Sequence, residues 1–265
     1  MKKTLLGCLI LAVWMSPGCK NSDQPAEETT PIPTTPAITF SVREQIPHDT
    51  SFFTQGLEFY QGKLIEGTGL EGKSKLVKYD IATGKIDKQV DLAPTSFGEG
   101  VTVFRDTLYQ LTWRESKVNV YDVKDFRKLK ELPLNGEGWG ITHDSTSLLV
   151  TDGTNNLYFY EPGTFKLIKK LGITEGGSPA MNLNELEYIN GYLYANQWQY
   201  PYILKIDPAK GEVVAKLDLS SVVQMEKAQN PTAEVLNGIA YNPETKKFYV
   251  TGKNWSKIYE LQLSL

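Results

Sequence analysis

The chain has 265 residues, of which 40% are hydrophobic and 22% charged, so it can bury a sizeable core as one all-β domain. Its formal net charge of −3 and its pI near 5.6 provide no basic footprint, which disfavours nucleic acid as a partner. The two histidines, His48 and His143, lie far apart without metal-ligand spacing, which disfavours a histidine-rich zinc site.

Residues 1–19 have the organisation of an export signal. Lys2 and Lys3 precede an apolar run, Leu5 to Trp14, that is too short for a permanent membrane helix. The Gly-Cys pair that follows resembles a bacterial lipoprotein cleavage box, with Cys19 as the lipidated first residue of the mature chain. Ser16 departs from that pattern, in which an aliphatic residue is commoner, and a secretory signal cut nearby is the alternative. We expect a periplasmic or cell-surface protein anchored to a bacterial membrane.

Residues 20–37 predict a flexible tether, because KNSDQPAEETTPIPTTPA is rich in Pro, Thr and acidic residues and has almost nothing apolar to bury. The remaining chain, residues 38–265, is predicted to form the folded domain. Its sequence contains no cysteine, since Cys8 lies inside the signal and Cys19 is the anchor. The core alone must therefore hold this domain together.

A repeated pattern of β-rich runs begins near residue 56. Each repeat opens on a small or polar residue followed by an aliphatic strand start, and the openings are Gly56-Leu57, Gly100-Val101, Gly140-Ile141, Glu185-Leu186 and Gly238-Ile239. Most openings lie about 40–45 residues apart, and the repeat that follows an opening contains four strand-like runs. This spacing is typical of β-propeller blades. The last interval is longer, at 53 residues.

The two ends of the chain complete this pattern. The fifth repeat stops after its third strand, at Leu265, and a spare strand-like run from Ile38 to Pro47 precedes the first repeat. We therefore expect the N-terminal strand to complete the last blade and close a five-bladed β-propeller, which hides the sheet edges. A β-sandwich is the alternative, but it does not account for five periods with one missing and one spare strand.

In a propeller, the residues before each inner strand and those after each second strand meet at one end. The candidates for a ligand site at this end are Phe53, Gln55, Glu99, Trp139 and Asn184 before inner strands, and Trp113, Trp198 and Lys253 after second strands. Aromatic walls with a few polar groups are typical of a small-ligand site. Simpler interpretations exist: the glycines serve close strand approach, a lone Trp is core, Lys253 is a solvated lysine, and Glu99 is a turn carboxylate. Trp255 fits core or pocket equally.

The same segments resemble one family over nearly the whole predicted domain. FTQGLEF, FGEGVTV, LYQLTW, GWGITHD, VTDGTNNLY, LNELEYINGYLYANQW, LNGIAY and VTGKNW are similar to segments of the plant-type glutaminyl cyclases, glutaminyl-peptide cyclotransferases that also occur in bacteria. The resemblance implies a five-bladed propeller that converts the N-terminal Gln of peptides into pyroglutamate and releases ammonia.

The resemblance also implies roles for individual residues. Glu99 corresponds to the family's general acid/base, and Lys253 and Asn184 to further catalytic residues suited to donate hydrogen bonds. The substrate-binding positions are Phe53, Gln55, Trp113, Trp139 and Trp198. No cofactor is expected to be required for catalysis. Some family members carry a structural metal ion in the central channel, so a structural calcium ion is a further expectation.

Two other functions fit the same fold, because folds of this kind host many activities. The first is a non-catalytic propeller that binds peptides. The second is a metal-dependent hydrolase or lactonase, for which Asp152, Glu187 and Glu99 could direct carboxylates at one ion. The convergence of Glu99, Lys253 and Asn184 with three tryptophans favours an enzyme, although a binding pocket could use the same residues, and turnover distinguishes the two.

Overall fold

The computed structural model describes residues 34–264, and it contains strands connected by turns and one short helix. The predicted signal, Cys19 and most of the predicted tether lie outside the described residues. The first strand, β1, spans Ala37–Pro47. Among residues 34–264 no helix has the length and apolar character needed to cross a membrane. The all-β class predicted from the sequence is confirmed.

Three four-stranded antiparallel sheets follow β1 along the chain, and in each the strands are paired in sequence order. Unit 1 comprises β2 (Thr54–Tyr60), β3 (Lys63–Thr68), β4 (Lys75–Tyr79) and β5 (Ile86–Asp91). Unit 2 comprises β6 (Gly98–Phe104), β7 (Thr107–Thr112), β8 (Lys117–Asp122) and β9 (Lys128–Pro133). Unit 3 comprises β10 (Ile141–His143), β11 (Leu148–Val150), β12 (Asn156–Tyr160) and β13 (Leu167–Gly172).

The remaining strands form a larger sheet that contains two further four-stranded units. A small hairpin precedes them, with β14 (Thr174–Glu175) and β15 (Ser178–Pro179). Unit 4 comprises β16 (Leu183–Ile189), β17 (Tyr192–Gln197), β18 (Tyr202–Asp207) and β19 (Glu212–Asp218). Helix α1 (Ser220–Gln229) then leads to unit 5, which comprises β20 (Leu236–Asn242), β21 (Lys247–Gly252), β22 (Lys257–Ser264) and β1.

Strand β1 connects the beginning of the described chain to its end. It pairs antiparallel with β22, from Thr39 opposite Ser264 to Pro47 opposite Lys257. Its first residues also pair parallel with β19, which joins units 4 and 5 into one sheet. Directly after β1, His48 lies 3.1 Å from the buried Glu66 carboxylate of unit 1. Burial lowers the pKa of His48, but Glu66, the Trp255 carbonyl and Asp49 together outweigh this effect and the pKa is raised.

The innermost strands of the five units form a ring of contacts. Strands β2, β6, β10, β16 and β20 each pack against the next, and β20 packs against β2. The strands approach very closely: a Cβ atom on Gly56 would lie 2.4 Å from the Val101 nitrogen, and one on Gly140 would lie 2.1 Å from the Asn184 oxygen. The prediction that these glycines serve close approach is therefore confirmed.

The hydrophobic core lies between neighbouring units. One buried cluster joins Ile65 and Leu76 of unit 1 to Val101 and Leu108 of unit 2. Three more clusters join units 2 and 3, 3 and 4, and 4 and 5, and a further cluster joins unit 5 to unit 1. Trp255 is fully buried in the cluster between units 4 and 5, which assigns this tryptophan to the core. Each sheet is thus packed on both faces, which orders the ends of its inner strand.

Candidate active site

A cavity of about 460 Å³ opens at the end of the ring where the inner strands begin and the second strands finish, here called the pocket end. All eight residues predicted for a site line it: Phe53, Gln55, Glu99, Trp113, Trp139, Asn184, Trp198 and Lys253. They come from all five units and from opposite ends of the domain sequence. The predicted convergence of the two sets of residues is therefore found in the structure.

Irregular strand starts aim several of these side chains at the cavity. The pairing register shifts between Thr54 and Gly56 in β2, and between Gly98 and Val101 in β6. Similar shifts occur at the starts of β16 and β20. A β-bulge adds a residue to one strand and redirects side chains, and bulges are common beside active sites. Gln55, Glu99 and Asn184 lie in or beside these bulges, so their orientation departs from simple strand alternation.

Glu99 is the buried acid of the site. Gln55 Nε2 donates a hydrogen bond of 3.1 Å to Glu99 Oε1. The Gln55 side chain is fixed in turn, because its Oε1 accepts a 3.2 Å hydrogen bond from Asn237 Nδ2. Burial raises the pKa of Glu99 well above its usual range, and the nearby Lys253 charge offsets part of this increase. A carboxyl with a raised pKa in a cavity is suited to exchange protons near neutral pH.

Lys253 provides a buried cation facing Glu99. Its Nζ lies 4.7 Å from the centre of the Phe53 ring, a cation–π distance. Burial lowers the pKa of Lys253, while the Glu99 and Glu234 carboxylates act in the opposite direction. The Lys253 backbone N–H donates to the Val235 carbonyl at 3.0 Å, and its carbonyl accepts from the Glu234 N–H at 2.9 Å. The base of this side chain is therefore held firmly at the cavity wall.

Asn184 has an unsatisfied polar atom in the same wall. The residue is 2% exposed, and its Oδ1 has no hydrogen-bond partner within the described chain. Its backbone is held in place, because the Asn184 carbonyl accepts a 2.7 Å hydrogen bond from Thr151 Oγ1. Buried polar groups without a partner are rare and costly in folded proteins. This side chain is therefore available to hydrogen-bond a ligand in the cavity.

Aromatic side chains form the other walls. The indole N–H groups of Trp113 and Trp139 both donate to Glu137 Oε2, at 2.9 and 3.1 Å. Trp139 also meets Trp198 edge to face, with ring centres 5.4 Å apart. Phe97 packs between two rings of the wall, those of Phe53 and Trp113. The three tryptophans are half-buried, so the pocket interpretation holds for them and the core interpretation holds for Trp255.

Five further residues belong to the site but were not predicted. Phe97, Gln199, Glu234 and Val235 line the cavity, and Glu137 holds two of its indoles. Their positions follow the rule that identified the others, because they adjoin a predicted site residue or precede an inner strand. Three of them, Glu137, Gln199 and Glu234, are exposed polar residues. A residue of this type in a loop does not by itself indicate a binding site.

The carboxylates required by the hydrolase alternative do not converge. Asp152 accepts hydrogen bonds from the Thr154 N–H of its own loop and from Tyr158 Oη of β12. Glu187 lies at the other end of the ring, where it accepts from the Tyr241 N–H. Among residues 34–264, no three His, Cys, Asp or Glu side chains are arranged to hold a metal ion. The carboxylates of Asp152, Glu187 and Glu99 therefore do not fit a shared metal ion. The structural calcium ion stays a prediction, and no residue is assigned to it.

The fold and the cavity define an all-β protein with an aromatic small-ligand site built around a buried acid. The family model described as glutamine cyclotransferase matches residues 10–263. A glutaminyl-peptide cyclotransferase of Arabidopsis thaliana is 38% identical over 223 residues, which cover 83% of this chain and 69% of the relative. The crystal structure of Myxococcus xanthus glutaminyl cyclase is similar at a TM-score of 0.81 and 34% identity, covering 88% of this chain and 99% of that one. The chain belongs to the glutamine cyclotransferase family.

Proposed function

We propose that this protein is a glutaminyl-peptide cyclotransferase, which closes the N-terminal Gln of peptides into pyroglutamate and releases ammonia. The observation that carries this function is the buried Glu99, with its raised pKa, beside Lys253 and Asn184 in an aromatic cavity. Family membership and both similar proteins support the same activity. The same findings do not favour the non-catalytic alternative, and turnover of a peptide with N-terminal Gln decides between the two.

Glu99 acts as the general acid and base. The substrate's α-amine has an ordinary pKa of about 7.7–8.0, and it attacks only when neutral. The Glu99 carboxylate accepts a proton from this nitrogen as the bond to the side-chain carbonyl carbon forms. It then returns the proton to the amide nitrogen, so the carbon–nitrogen bond breaks and ammonia leaves. A role of this kind contributes about 10²–10⁴-fold to the rate.

Lys253 and Asn184 stabilise the tetrahedral intermediate, in which the former amide oxygen carries negative charge. The Lys253 ammonium and the Asn184 side-chain amide both line the cavity that holds this oxygen. Fixed donors of this type contribute about 2.7–4 kcal/mol each. The unpartnered Asn184 Oδ1 can in turn accept an N–H of the substrate. Gln55 binds the substrate's amide or amine while it keeps Glu99 in place.

The aromatic walls hold the glutamine side chain folded over its own amine. Phe53 and the three tryptophans surround the cavity and exclude water from it. Ring closure joins two groups of one molecule, so correct orientation supplies much of the acceleration. This is why the site can work with one acid and a few donors.

The fold that carries this site is, in our proposal, a five-bladed β-propeller completed by β1. Five four-stranded units support it, as do the ring of inner strands and the hydrophobic cluster between unit 5 and unit 1. The pairing of β1 with β22 would then close the ring without a disulfide. The domain boundaries are part of the same proposal, with residues 38–265 forming the catalytic domain.

The protein's location is also a proposal: an exported lipoprotein with signal residues 1–19, an anchor at Cys19 and a tether over residues 20–37. The pairing of Pro47 with Lys257, near the cavity residue Lys253, means that β1 begins at the end away from the cavity. A Cys19→Ser variant should move from the membrane fraction to the soluble fraction of the cell envelope. Equal membrane retention of both forms would reject the lipid anchor.

Mass spectrometry of a short peptide with N-terminal Gln tests the activity. We expect the whole chain, purified in mild detergent, to remove ammonia far faster than the spontaneous rate, and a Glu99→Gln variant to lose this activity. Ammonia loss by both proteins would keep the function and reject the role of Glu99. Ammonia loss at the spontaneous rate, from folded protein, would support the peptide-binding alternative.

A further inference from the structure

A second cavity lies beside the active-site cavity and shares part of its wall. It has a volume of about 330 Å³, and Gln199, Glu234 and Val235 line both cavities. Beyond this shared wall its lining is Tyr200, Pro201, Ser220, Val223, Gln224, Lys227 and Leu236. A ligand that fills the first cavity can therefore continue into the second along a common surface.

Helix α1 forms the far wall of the second cavity, and it explains the longest interval of the repeat pattern. The 53 residues between the fourth and fifth repeat openings include this helix, which lies between β19 and β20. Insertions in repeat proteins often extend the binding face. Here the insertion lies at the pocket end, where Val223, Gln224 and Lys227 of the helix face the second cavity.

The helix is held rigidly against unit 5. Val222 is fully buried, as is Glu226, whose Oε2 accepts a 2.9 Å hydrogen bond from Tyr259 Oη. Glu226 Oε1 accepts a further hydrogen bond from the Ser256 N–H. Because the helix position is fixed before a ligand arrives, little ordering cost opposes binding against it.

The opposite wall is a short loop that serves both cavities. Trp198 lines the first cavity, Gln199 lines both, and Tyr200 lines the second. The Tyr200 ring is 47% exposed and stacks on Tyr202 with ring centres 6.1 Å apart. Together with Pro201 it provides a rigid, apolar surface facing α1. Aromatic rings held in this way bind apolar side chains at low entropic cost.

We propose that the second cavity is a subsite for the second residue of the substrate peptide, and that it prefers an apolar or aromatic side chain there. This inference rests on the proposed function, because it places the N-terminal Gln in the first cavity. Consecutive Cα atoms are about 3.8 Å apart, so the next residue must leave the first cavity directly along its wall. The wall shared by both cavities leads that residue between Tyr200 and Val223.

The test compares two dipeptide amides, Gln-Phe-NH₂ and Gln-Gly-NH₂, by kcat/KM on the whole chain. We expect the phenylalanine peptide to be preferred about tenfold, since burying part of a Phe side chain is favourable by roughly 1.4 kcal/mol. Tyr200→Ala should reduce this preference to about twofold, and Val223→Thr should reduce it by a smaller factor because it keeps the side-chain shape. Tyr192→Ala, at an exposed tyrosine lining a separate cavity of units 4 and 5, should retain the full preference.

Three outcomes overturn the subsite, and they differ in what they say about the activity. If wild type turns over both peptides equally well, or if Tyr200→Ala retains the full preference, the subsite is wrong and the proposed function stands. If the folded wild-type protein turns over neither peptide, the proposed function fails and the subsite fails with it.

Discussion

The two ends of the ring of inner strands contain the same chemical group in different settings. At the pocket end, Glu99 receives a hydrogen bond from the Gln55 side chain and faces Lys253 across an open cavity. At the other end, Glu58 accepts from the Val103 N–H at 3.0 Å, and Glu187 accepts from the Tyr241 N–H at 3.0 Å. Burial raises the pKa of all three carboxyls, and that of Glu58 rises to about 7.

The two ends differ in the hydrogen-bond partners of their buried polar side chains. A cavity of about 580 Å³ exists at the far end too, lined by Glu58, Glu187 and His143. These three side chains have partners within the protein: each carboxylate accepts a hydrogen bond from a backbone N–H of the next unit, and His143 Nδ1 lies 2.9 Å from Thr102 Oγ1. At the pocket end, Asn184 Oδ1 is left for a ligand. A raised pKa therefore identifies buried acids, and the available partners distinguish a catalytic one from a structural one.

The largest expected effect tests this distinction directly. Glu99→Gln should fold normally and lose about 10²–10⁴-fold in kcat with little change in KM, because the amide cannot transfer the proton. The matched control is Glu58→Gln at the far end, which should keep kcat within a few fold. Steady-state kinetics on both variants provides the measurement. Equal losses in the two variants would show that the two ends do not differ in the way described.

Lys253→Met should have the next largest effect, a loss of about 10²-fold in kcat through the missing donor to the oxyanion. It should also change the pH profile. The Lys253 charge lowers the pKa of Glu99, so its removal should move the acidic limb of kcat/KM to higher pH. Lys247→Met, which removes a half-buried lysine of β21 that is paired with Glu260, serves as the control. If the acidic limb does not move, the Lys253 charge does not lower the pKa of Glu99.

Glu58→Gln should change the pH dependence of stability instead of activity. The pKa of Glu58 is raised in the folded protein to about 7, so its contribution to stability is fully present below pH 4.5 and is lost as the pH rises through 7. The variant should therefore be more stable relative to wild type at pH 8 than at pH 5, by on the order of 2–3 kcal/mol. Chemical denaturation at both pH values measures this difference. A constant difference between the two proteins would contradict the raised pKa.

The smallest expected effect concerns the acceptor shared by two indoles. Glu137→Ala leaves the Trp113 and Trp139 N–H groups to water, and each lost hydrogen bond is worth about 0.5–1.5 kcal/mol. KM should rise about three- to tenfold while kcat near neutral pH stays close to wild type, because the walls bind substrate. The Glu137 charge also raises the pKa of Glu99, so its loss should move the acidic limb of the pH profile to lower pH. Glu131→Ala, an exposed glutamate of β9, is the control for charge removal. A fall in kcat with unchanged KM would give Glu137 a part in the chemistry.

Much of the site could be predicted because it depends on the repeat. Once the inner and second strands were aligned, residues such as Gln55, Glu99 and Lys253 had to meet at one end, whatever their distance in sequence. The bulges that aim them could not be predicted, because an extra residue in a strand depends on backbone pairing with the neighbouring strand. The insertion containing α1 was visible as a long interval, but its helical form and its docking through the buried Glu226 were not.

The sequence by itself determined the all-β class, the order of the strands and eight of the residues at the pocket end, because these follow from local periodicity and the repeat interval. Tertiary structure decided which side chains have partners. Glu99 and Glu187 are both glutamates of inner strands, and Trp198 and Trp255 both follow a second strand. One member of each pair lines the active-site cavity, and the other is bound or buried within the protein. Burial and hydrogen bonding depend on the packing of neighbouring units, and that information lies far away in the chain.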